Sequence, residues 1–219
     1  MLNSNLDLTI DDYVSVDWNA LVTAIDAVGG LDIDINSVEA KDINKNCIDE
    51  INSVTHNHSS YVKPGHNHFD GVQATGYCRI RHTRGNDFRR TARQREVIEK
   101  LTDKIQNLSL PAATSLLQKL FPMVSTSLDL PQILDLFRQI HDYTIADTTG
   151  FPFDMRADHM NTKGDVIVPC DLVSNVTKLH EFLYDSKDYK PSEKVCDINK
   201  KIYDITSISK KDAVKYDLQ

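Results

Sequence analysis

The sequence of 219 residues lacks any apolar run close to the ~20 residues that a membrane-spanning helix requires. Its first residues, Met1 to Asp7, are too few and too polar to form the apolar core of a signal peptide. From the sequence as given, we expect a soluble polypeptide without a signal or an anchor of its own.

Cysteines are few and widely spaced. The chain has four, Cys47, Cys78, Cys170 and Cys196, and no two of them form a CxxC pair. This spacing argues against a zinc site built from cysteines. We expect unpaired and mostly buried thiols, and the alternative is one or two disulfides in an oxidising compartment.

The chain also lacks an excess of positive charge. Its formal net charge is −7 and its isoelectric point is near 5.6. A domain that binds nucleic acid in general is usually basic, and a protein held on an anionic membrane by charge alone needs clusters of Lys and Arg. The charge balance therefore argues against both classes.

What the sequence does contain is a dense arginine run. Seven of the nine arginines fall between Arg79 and Arg95, together with a single acid, Asp87. The run therefore carries a formal charge of +6, and the rest of the chain sums to −13. Because a guanidinium group stays charged and can hold two phosphate oxygens at once, the run predicts a receptor for an anion.

The periodicity of the apolar residues predicts an alternation of strands and helices. Strands are predicted at 13–17 and 31–35, joined by a helix that ends at Gly29-Gly30. The order strand, helix, strand indicates an α/β fold. Further helices are predicted at 37–53, 70–81, 88–108, 112–121, 131–141, 172–183 and 191–207, with short strands within 143–155 and at 166–168.

Residues 54–69 contain two His-x-His pairs, His56 with His58 and His66 with His68. Such pairs can bind a metal. Here they lie in a polar segment without apolar framing, so we expect an exposed loop, with a metal site as the weaker alternative.

The predicted helix after Asp87 gives the arginine run a direction. At 100° per residue from Arg90, the apolar residues Val97, Ile98, Leu101, Ile105 and Leu108 fall within about −20° to +80°. Arg90 and Gln94 lie in that same stripe, Arg93 lies at its edge, and Arg89 and Arg95 point away. A buried guanidinium needs an internal acid or a bound anion, and the positive end of the helix favours an anion. Arg79 and Arg81 reach the same end from the preceding helix.

Several motifs resemble the LytR-CpsA-Psr family. They are Asp70-Gly71-Val72-Gln73-Ala74, Tyr77-Cys78-Arg79-Ile80-Arg81, and Asp87-Phe88-x-Arg90-Thr91-x-Arg93-Gln94, preceded by Tyr13 to Asp17 and Asp26 to Leu31. The motifs cover about residues 1–110 at matching spacing, and the resemblance is less specific beyond.

The resemblance implies a phosphotransferase of the Gram-positive cell envelope, on the extracytoplasmic face of the membrane. Such enzymes move a teichoic-acid- or capsule-type glycopolymer from polyprenyl diphosphate to peptidoglycan. By the family's motif, Arg79, Arg81, Arg90 and Arg93 would bind the diphosphate, and Gln94 would hydrogen-bond it. Asp87 would orient the arginines or approach the metal, which makes Asp87 and Arg90 the catalytic candidates. The family's cofactor is Mg²⁺, and nucleic acid is not an expected partner.

The family domain begins earlier than this chain. Its membrane helix, metal-binding aspartates and Pro-Arg-Asp-type motif have no counterpart here, so we expect no metal ligands in this chain. We therefore expect an α/β fold like that of the LytR-CpsA-Psr family (αβα), with a central mixed sheet flanked by helices. We expect this fold to be incomplete at its N-terminus. Residues 1–110 would form the second half of that domain, 111–207 an extension of helices and short strands, and 208–219 a tail.

Two other functions remain open. The first is a non-catalytic binder of lipid diphosphate or phosphorylated glycan, which would use the same arginines without a metal. The second is a transcriptional regulator that binds nucleic acid through the arginine run, and the acidic surroundings argue against it.

We predict that the purified chain alone does not transfer glycopolymer, because the metal-binding carboxylates of the family are missing from it. The measurement is transfer of a labelled glycopolymer from a polyprenyl diphosphate to peptidoglycan. Detectable transfer by the chain on its own would overturn this prediction.

Overall fold

The computed structural model describes residues 1–81, 86–161 and 163–216, with the side chains of all of these except 86–88 and 141. The chain divides into two compact units. The larger unit is Asp12–Thr148, and the smaller unit combines Met1–Asp11 with the described residues from Thr149 to Tyr216.

The larger unit combines helices with short strands, as the sequence predicts. Its strands are β1 (Val14–Val16), β2 (Leu31–Ile35), β3 (Gly65–Phe69) and β4 (Val124–Thr126). Its helices are α1 (Trp18–Ala27), α2 (Ser37–Asn46), α3 (Ile48–Thr55), α4 (Gly71–Tyr77), α5 (Asn86–Gln106), α6 (Leu110–Leu120) and α7 (Leu130–Arg138).

The strands of the larger unit pair two by two. Strand β1 is antiparallel to β4, with Ser15 opposite Ser125, and β2 is antiparallel to β3, with Ile33 opposite Asn67. Each of these sheets has two strands within the described parts of the chain. The predicted strands at 13–17 and 31–35 are therefore both present, but they lie in different sheets.

One apolar core holds the larger unit together. It contains the inward face of β2 (Leu31, Ile33, Ile35), Phe69 of β3 and the buried side chains of the surrounding helices, among them Ile25, Ile43, Ile48, Ile51, Val72 and Val97. Strand β2 alternates buried and exposed along its length, which is the pattern of a strand with one face on the core.

Helices α1 and α4 approach each other closely at a glycine. A Cβ atom at Gly71 would lie 2.3 Å from the carbonyl oxygen of Val22, so only glycine fits there. The amide of Gly71 donates to Oδ1 of Asp26 at 2.6 Å. The side chain of Asp70 caps α4, and Gln73 completes a capping box. These contacts fix the helix that leads into the arginine run.

The prediction of a loop over residues 54–69 is wrong for its last part, because β3 occupies Gly65–Phe69. Phe69 is fully buried and anchors the strand in the core. The polar composition concealed the strand, since His66 and His68 face carboxylates on β2 rather than apolar neighbours. The predicted helix at 37–53 is two helices, which meet at Cys47.

The smaller unit contains a helix α0, named for its position at the chain start (Leu2–Leu6), strands β5 (Met155–Met160) and β6 (Gly164–Pro169), and helices α8 (Leu172–Tyr184) and α9 (Glu193–Thr206). Strands β5 and β6 form an antiparallel pair. Asp7 ties α0 to the N-terminal end of α9 by accepting hydrogen bonds from the amide and hydroxyl of Ser192, both at 2.7 Å.

All four cysteines are free thiols, and Cys47, Cys78 and Cys170 are buried. The prediction of unpaired and mostly buried thiols is therefore confirmed. Burial raises the pKa of Cys47 to about 11 and that of Cys78 to about 12. Both remain protonated near neutral pH and act as small apolar side chains.

The β2–β3 pair carries a charged clasp on its exposed face. Nδ1 of His68 lies 2.7 Å from Oδ1 of Asp32, and its Nε2 lies 2.7 Å from the carbonyl oxygen of Gly29. Both partners are acceptors, so both ring nitrogens must carry a proton, and His68 is an imidazolium in this geometry. The hydrogen bond from His68 lowers the pKa of Asp32, and the hydrogen bonds to Asp32 and Gly29 raise the pKa of His68.

We predict that the clasp makes the free energy of unfolding depend on pH. Because the pKa of His68 is raised above its ordinary 6.5, its contribution is complete below that pH and is lost as pH rises through the folded value. Because the pKa of Asp32 is lowered from 3.8, its contribution is present above pH 3.8 and is lost as pH falls through the folded value. The free energies of unfolding of the wild type and His68→Gln, measured by denaturant melts, should therefore differ most between pH 3.8 and pH 6.5. They should converge at alkaline pH.

The matched control is His66→Gln. His66 lies on the same face of β3 and contacts Asp34 at 3.2 Å through one ring nitrogen. The His66→Gln substitution should change the pH dependence of the free energy of unfolding less than His68→Gln does. Equal profiles for the two variants would show that the Gly29 contact has no role.

Candidate anion site

The arginine run begins where α4 ends and continues into the first turns of α5. Arg79 and Arg81 follow α4, and Arg89, Arg90, Arg93 and Arg95 lie on α5. Arg84 lies outside the described residues, and so does the side chain of Asp87. Six described arginines thus lie in the segment after α4 and on the first turns of α5.

Arg79 is held by an aromatic ring and an acid. Its guanidinium carbon lies 3.9 Å from the centroid of the Trp18 ring, and Nη1 donates to Oε2 of Glu50 at 2.8 Å. The pair stays partly open to solvent, since the side chain of Arg79 is 30% exposed and that of Glu50 is 52% exposed. An ion pair this exposed adds little stability.

Arg93 is held in the interior. Its Nε and Nη2 donate to Oε1 of Glu39 at 3.1 and 2.9 Å, and Nη1 donates to the carbonyl oxygen of Ile80 at 3.4 Å. The side chain of Arg93 is 4% exposed and that of Glu39 is 12% exposed. Oε2 of Glu39 accepts from the amide of Asn36 at the start of α2. Arg93 therefore links α5 to α2 and to the end of α4.

Tyr77 borders this buried pair. The guanidinium carbon of Arg93 lies 5.8 Å from the centroid of its ring, and its hydroxyl donates to Oε2 of Glu96 at 2.8 Å. Burial and the hydrogen bond to Glu96 raise the pKa of Tyr77 well above its ordinary value. Tyr77 is therefore a neutral hydrogen-bond donor at physiological pH.

The remaining arginines are more accessible than Arg93. Arg81 is exposed, and Arg89, Arg90 and Arg95 are half-buried. Exposure therefore does not separate Arg90 from Arg89 and Arg95, which the helical phase predicts to be solvated. The side-chain amide of Gln94 donates through Nε2 to the carbonyl oxygen of Cys78 at 3.4 Å, which links α5 to the end of α4.

The predicted helical phase of α5 needs one correction. Val97 is buried as expected, but Ile98 is 57% exposed and Arg93 is the most buried of the described arginines. The buried face is therefore turned toward Arg93. The sequence stripe missed this because Glu39 supplies an internal acid that makes burial of a guanidinium acceptable.

Sequence reasoning missed Glu39, Glu50 and Trp18. Glu39 lies 54 residues from Arg93, and Glu50 lies 29 residues from Arg79, so no local pattern connects them. The only signal was the capping box of Asn36 and Glu39, which predicts a helix start but no arginine partner.

A groove beside α5 is lined by none of the arginines. It has a volume of about 520 Å³ and is lined by Glu99, Lys100, Asp103 and Gln106 of α5 and by residues 144–148. Its charged lining includes more acids than bases, which suits an anion poorly. The arginine run remains the candidate site.

No group of three or more His, Cys, Asp or Glu residues in the described parts of the chain could hold a metal ion. His66 and His68 instead contact carboxylates of β2 one at a time. Among the helices that the structure describes, none has the length and apolar character needed to cross a membrane.

A model of the LytR_cpsA_psr family matches residues 1–169, which is well over half of the sequence. The chain belongs to the LytR-CpsA-Psr family. The match includes the whole arginine run and extends beyond residue 110, where the recognisable motifs end.

Three relatives support this membership. The teichoic acid transferase TagV of Bacillus subtilis is 31% identical over 105 residues, 48% of this chain and 25% of TagV. The teichoic acid transferase TagU of Enterococcus faecalis is 28% identical over 136 residues, 62% of this chain and 39% of TagU. Biofilm regulatory protein A of Streptococcus mutans is 35% identical over 104 residues, 46% of this chain and 23% of that protein. The chain thus spans well under half the length of these relatives.

Solved structures of the family share the fold. Bacillus subtilis TagV has a TM-score of 0.61 at 23% identity, over 87% of this chain and 69% of TagV. An Enterococcus faecalis protein described as a transcriptional regulator has a TM-score of 0.66 at 22% identity, over 94% of this chain and 70% of its own. TagT bound to LIIa-WTA has a TM-score of 0.53 at 17% identity, over 94% of this chain and 66% of TagT. These likenesses confirm the predicted α/β class.

We predict that Arg93→Ala lowers the free energy of unfolding by about 3 kcal/mol, because it leaves the buried carboxylate of Glu39 without its guanidinium. Glu39→Gln should also destabilise the protein, since it removes the charge that Arg93 faces. Chemical denaturation followed by circular dichroism measures both effects.

The control is Arg138→Ala. Arg138 pairs with Asp135 on α7 at 2.7 Å, but both side chains are exposed, so the loss should stay below about 1 kcal/mol. If Arg93→Ala were no more destabilising than Arg138→Ala, the link between α5 and α2 would not support the fold.

Proposed function

We propose that the chain provides the diphosphate-binding part of an enzyme that transfers a teichoic-acid- or capsule-type glycopolymer from polyprenyl diphosphate to peptidoglycan at the cell envelope. The observation that carries the proposal is the family match over residues 1–169, which contains the whole arginine run. Relatives within this family are named teichoic acid transferases, and one solved relative is bound to LIIa-WTA.

The arginines would bind the diphosphate of the carrier. Arg79, Arg81 and Arg90 are the best placed, since each is exposed or half-buried at the end of α4 or the start of α5. The buried contacts of Arg93 with Glu39 favour a supporting role for that residue. Asp87 and Gln94 keep their predicted roles as an orienting acid and as a hydrogen-bond donor.

The chemistry of phosphoryl transfer fits a site of this kind. Negative charge spreads over the phosphate oxygens in the transition state, and catalysis depends on positioning and on fixed positive groups. Guanidinium groups held by ring and carboxylate contacts need little rearrangement to meet that charge. They would bind the ground state as well, so the same site supports binding without transfer.

The family's Mg²⁺ does not fit the residues at hand. The described side chains include no group of three acids or imidazoles that could hold it. We therefore assign no step of the reaction to a metal on this chain. A divalent ion would otherwise supply further positive charge at the phosphate oxygens.

Two alternatives have support of their own. A non-catalytic binder of lipid diphosphate or phosphorylated glycan would need only the arginines. A nucleic-acid-binding regulator matches the descriptions of two relatives as regulators. The chain's net charge of −7 argues against the second alternative.

We predict that Arg90→Ala weakens binding of farnesyl diphosphate, a short soluble polyprenyl diphosphate, by about tenfold or more. Each charge-assisted hydrogen bond contributes about 1.5–3 kcal/mol, and 1.4 kcal/mol corresponds to tenfold. Isothermal titration of the full chain measures the affinity, and Arg81→Ala should act in the same direction.

The control is again Arg138→Ala, which removes an arginine outside the run and should leave the affinity unchanged. Binding that Arg81→Ala and Arg90→Ala do not affect would contradict the proposed site. Affinity for duplex DNA that falls steeply with salt and is lost in the same variants would favour the regulator instead.

A further inference from the structure

We propose that Trp18 is a positioning residue of the anion site, whose indole face holds the guanidinium of Arg79 in place for a diphosphate. This inference rests on the proposed function, because it takes a diphosphate as the ligand of Arg79. It assigns a task to the only tryptophan of the chain.

The indole is itself well anchored. Trp18 is the first residue of α1, and the carboxylate of Asp17 accepts from the amide of Ala20 and so fixes the start of that helix. The side chain of Trp18 is half-buried and packs against the main core. It therefore offers a rigid surface to a side chain that follows α4.

The stacked geometry leaves part of Arg79 available. The guanidinium carbon lies 3.9 Å from the ring centroid, within the range of a cation–π contact. A guanidinium group donates hydrogen bonds in its own plane, so stacking on the ring leaves its N–H groups free to point outward. Among the described residues, Glu50 accepts a hydrogen bond from Nη1 of Arg79. Among the described residues none accepts a hydrogen bond from Nε or Nη2, and the side chain of Arg79 is 30% exposed.

Holding a long side chain in advance strengthens binding. A free arginine loses side-chain rotamer entropy when it is fixed, and a guanidinium already placed on an aromatic face has lost much of that freedom before the ligand arrives. A bidentate phosphate contact also needs the plane of the guanidinium in a defined orientation.

Glu50 acts in the opposite direction. Its carboxylate occupies Nη1 of Arg79 and adds a negative charge beside the anion. Because the pair is exposed, a diphosphate can displace the carboxylate at little cost. Trp18 and Glu50 should therefore have opposite effects on affinity.

The experiment is a double-mutant cycle with farnesyl diphosphate as the probe and inorganic pyrophosphate as a second arm. Trp18→Leu should bind farnesyl diphosphate about three- to tenfold more weakly, as expected for the loss of a cation–π contact. Trp18→Phe, which keeps an aromatic face, should restore most of the affinity. In an Arg79→Ala background, Trp18→Leu should have no further effect, and Glu50→Gln in the parent chain should bind more tightly.

A second readout needs no variant at Trp18. The fluorescence emission of the single tryptophan should change and reach saturation as farnesyl diphosphate is added to the wild type. This change should be absent in Arg79→Ala. Pyrophosphate should give the same change if the diphosphate alone is recognised, whereas a change with farnesyl diphosphate only would show that the apolar chain is needed to reach Arg79.

The outcomes separate this inference from the proposed function. If the wild type binds neither probe by titration calorimetry, the proposed function fails and this inference fails with it. If the wild type binds but its emission is unchanged, or Trp18→Leu has the same effect with and without Arg79, the diphosphate site stands and the role of Trp18 is refuted.

Discussion

The buried ion pair between Arg93 and Glu39 is the contact on which the arrangement of the candidate site depends. It joins α5 to α2 at 2.9 Å, and its acid is fixed in turn by the amide of Asn36. Separating two charges in the interior is costly, so the pair resists any movement of α5 relative to α2. The arginines on the first turns of α5 are therefore presented from a helix whose rotation is set.

A second constraint acts at the start of α4. Gly71 lets α4 approach α1 to a distance that no side chain would permit, and α1 carries Trp18 at its start. The close approach of the two helices thus places the indole beside Arg79, seven residues before α5 begins at Asn86. Packing in the core and orientation of a surface cation are consequences of the same helix contact.

Local sequence signals predicted the elements well but not their partners. Capping residues, glycines and apolar periodicity predicted the helices on both sides of the arginine run. They also predicted the end of α1 before Gly29-Gly30. Strand β3 was missed because its exposed histidines contact Asp32 and Asp34 rather than an apolar face. The acids that hold Arg79 and Arg93 were missed because they come from distant parts of the chain. The assignment of the arginines to a diphosphate remains a prediction.

Exposure distinguishes Arg79 from Arg93, each of which pairs with an acid. Opening the pair of Arg93 and Glu39 would leave a charge in the interior, so a ligand cannot exchange with that carboxylate without loosening the fold. Opening the pair of Arg79 and Glu50 leaves a carboxylate that water can solvate, and phosphate offers Arg79 a stronger, two-pronged contact. A run of arginines in an acidic protein can therefore be both scaffold and binding surface. The burial of the paired acid decides whether an arginine supports the fold, as Arg93 does, or is available to a ligand, as Arg79 is.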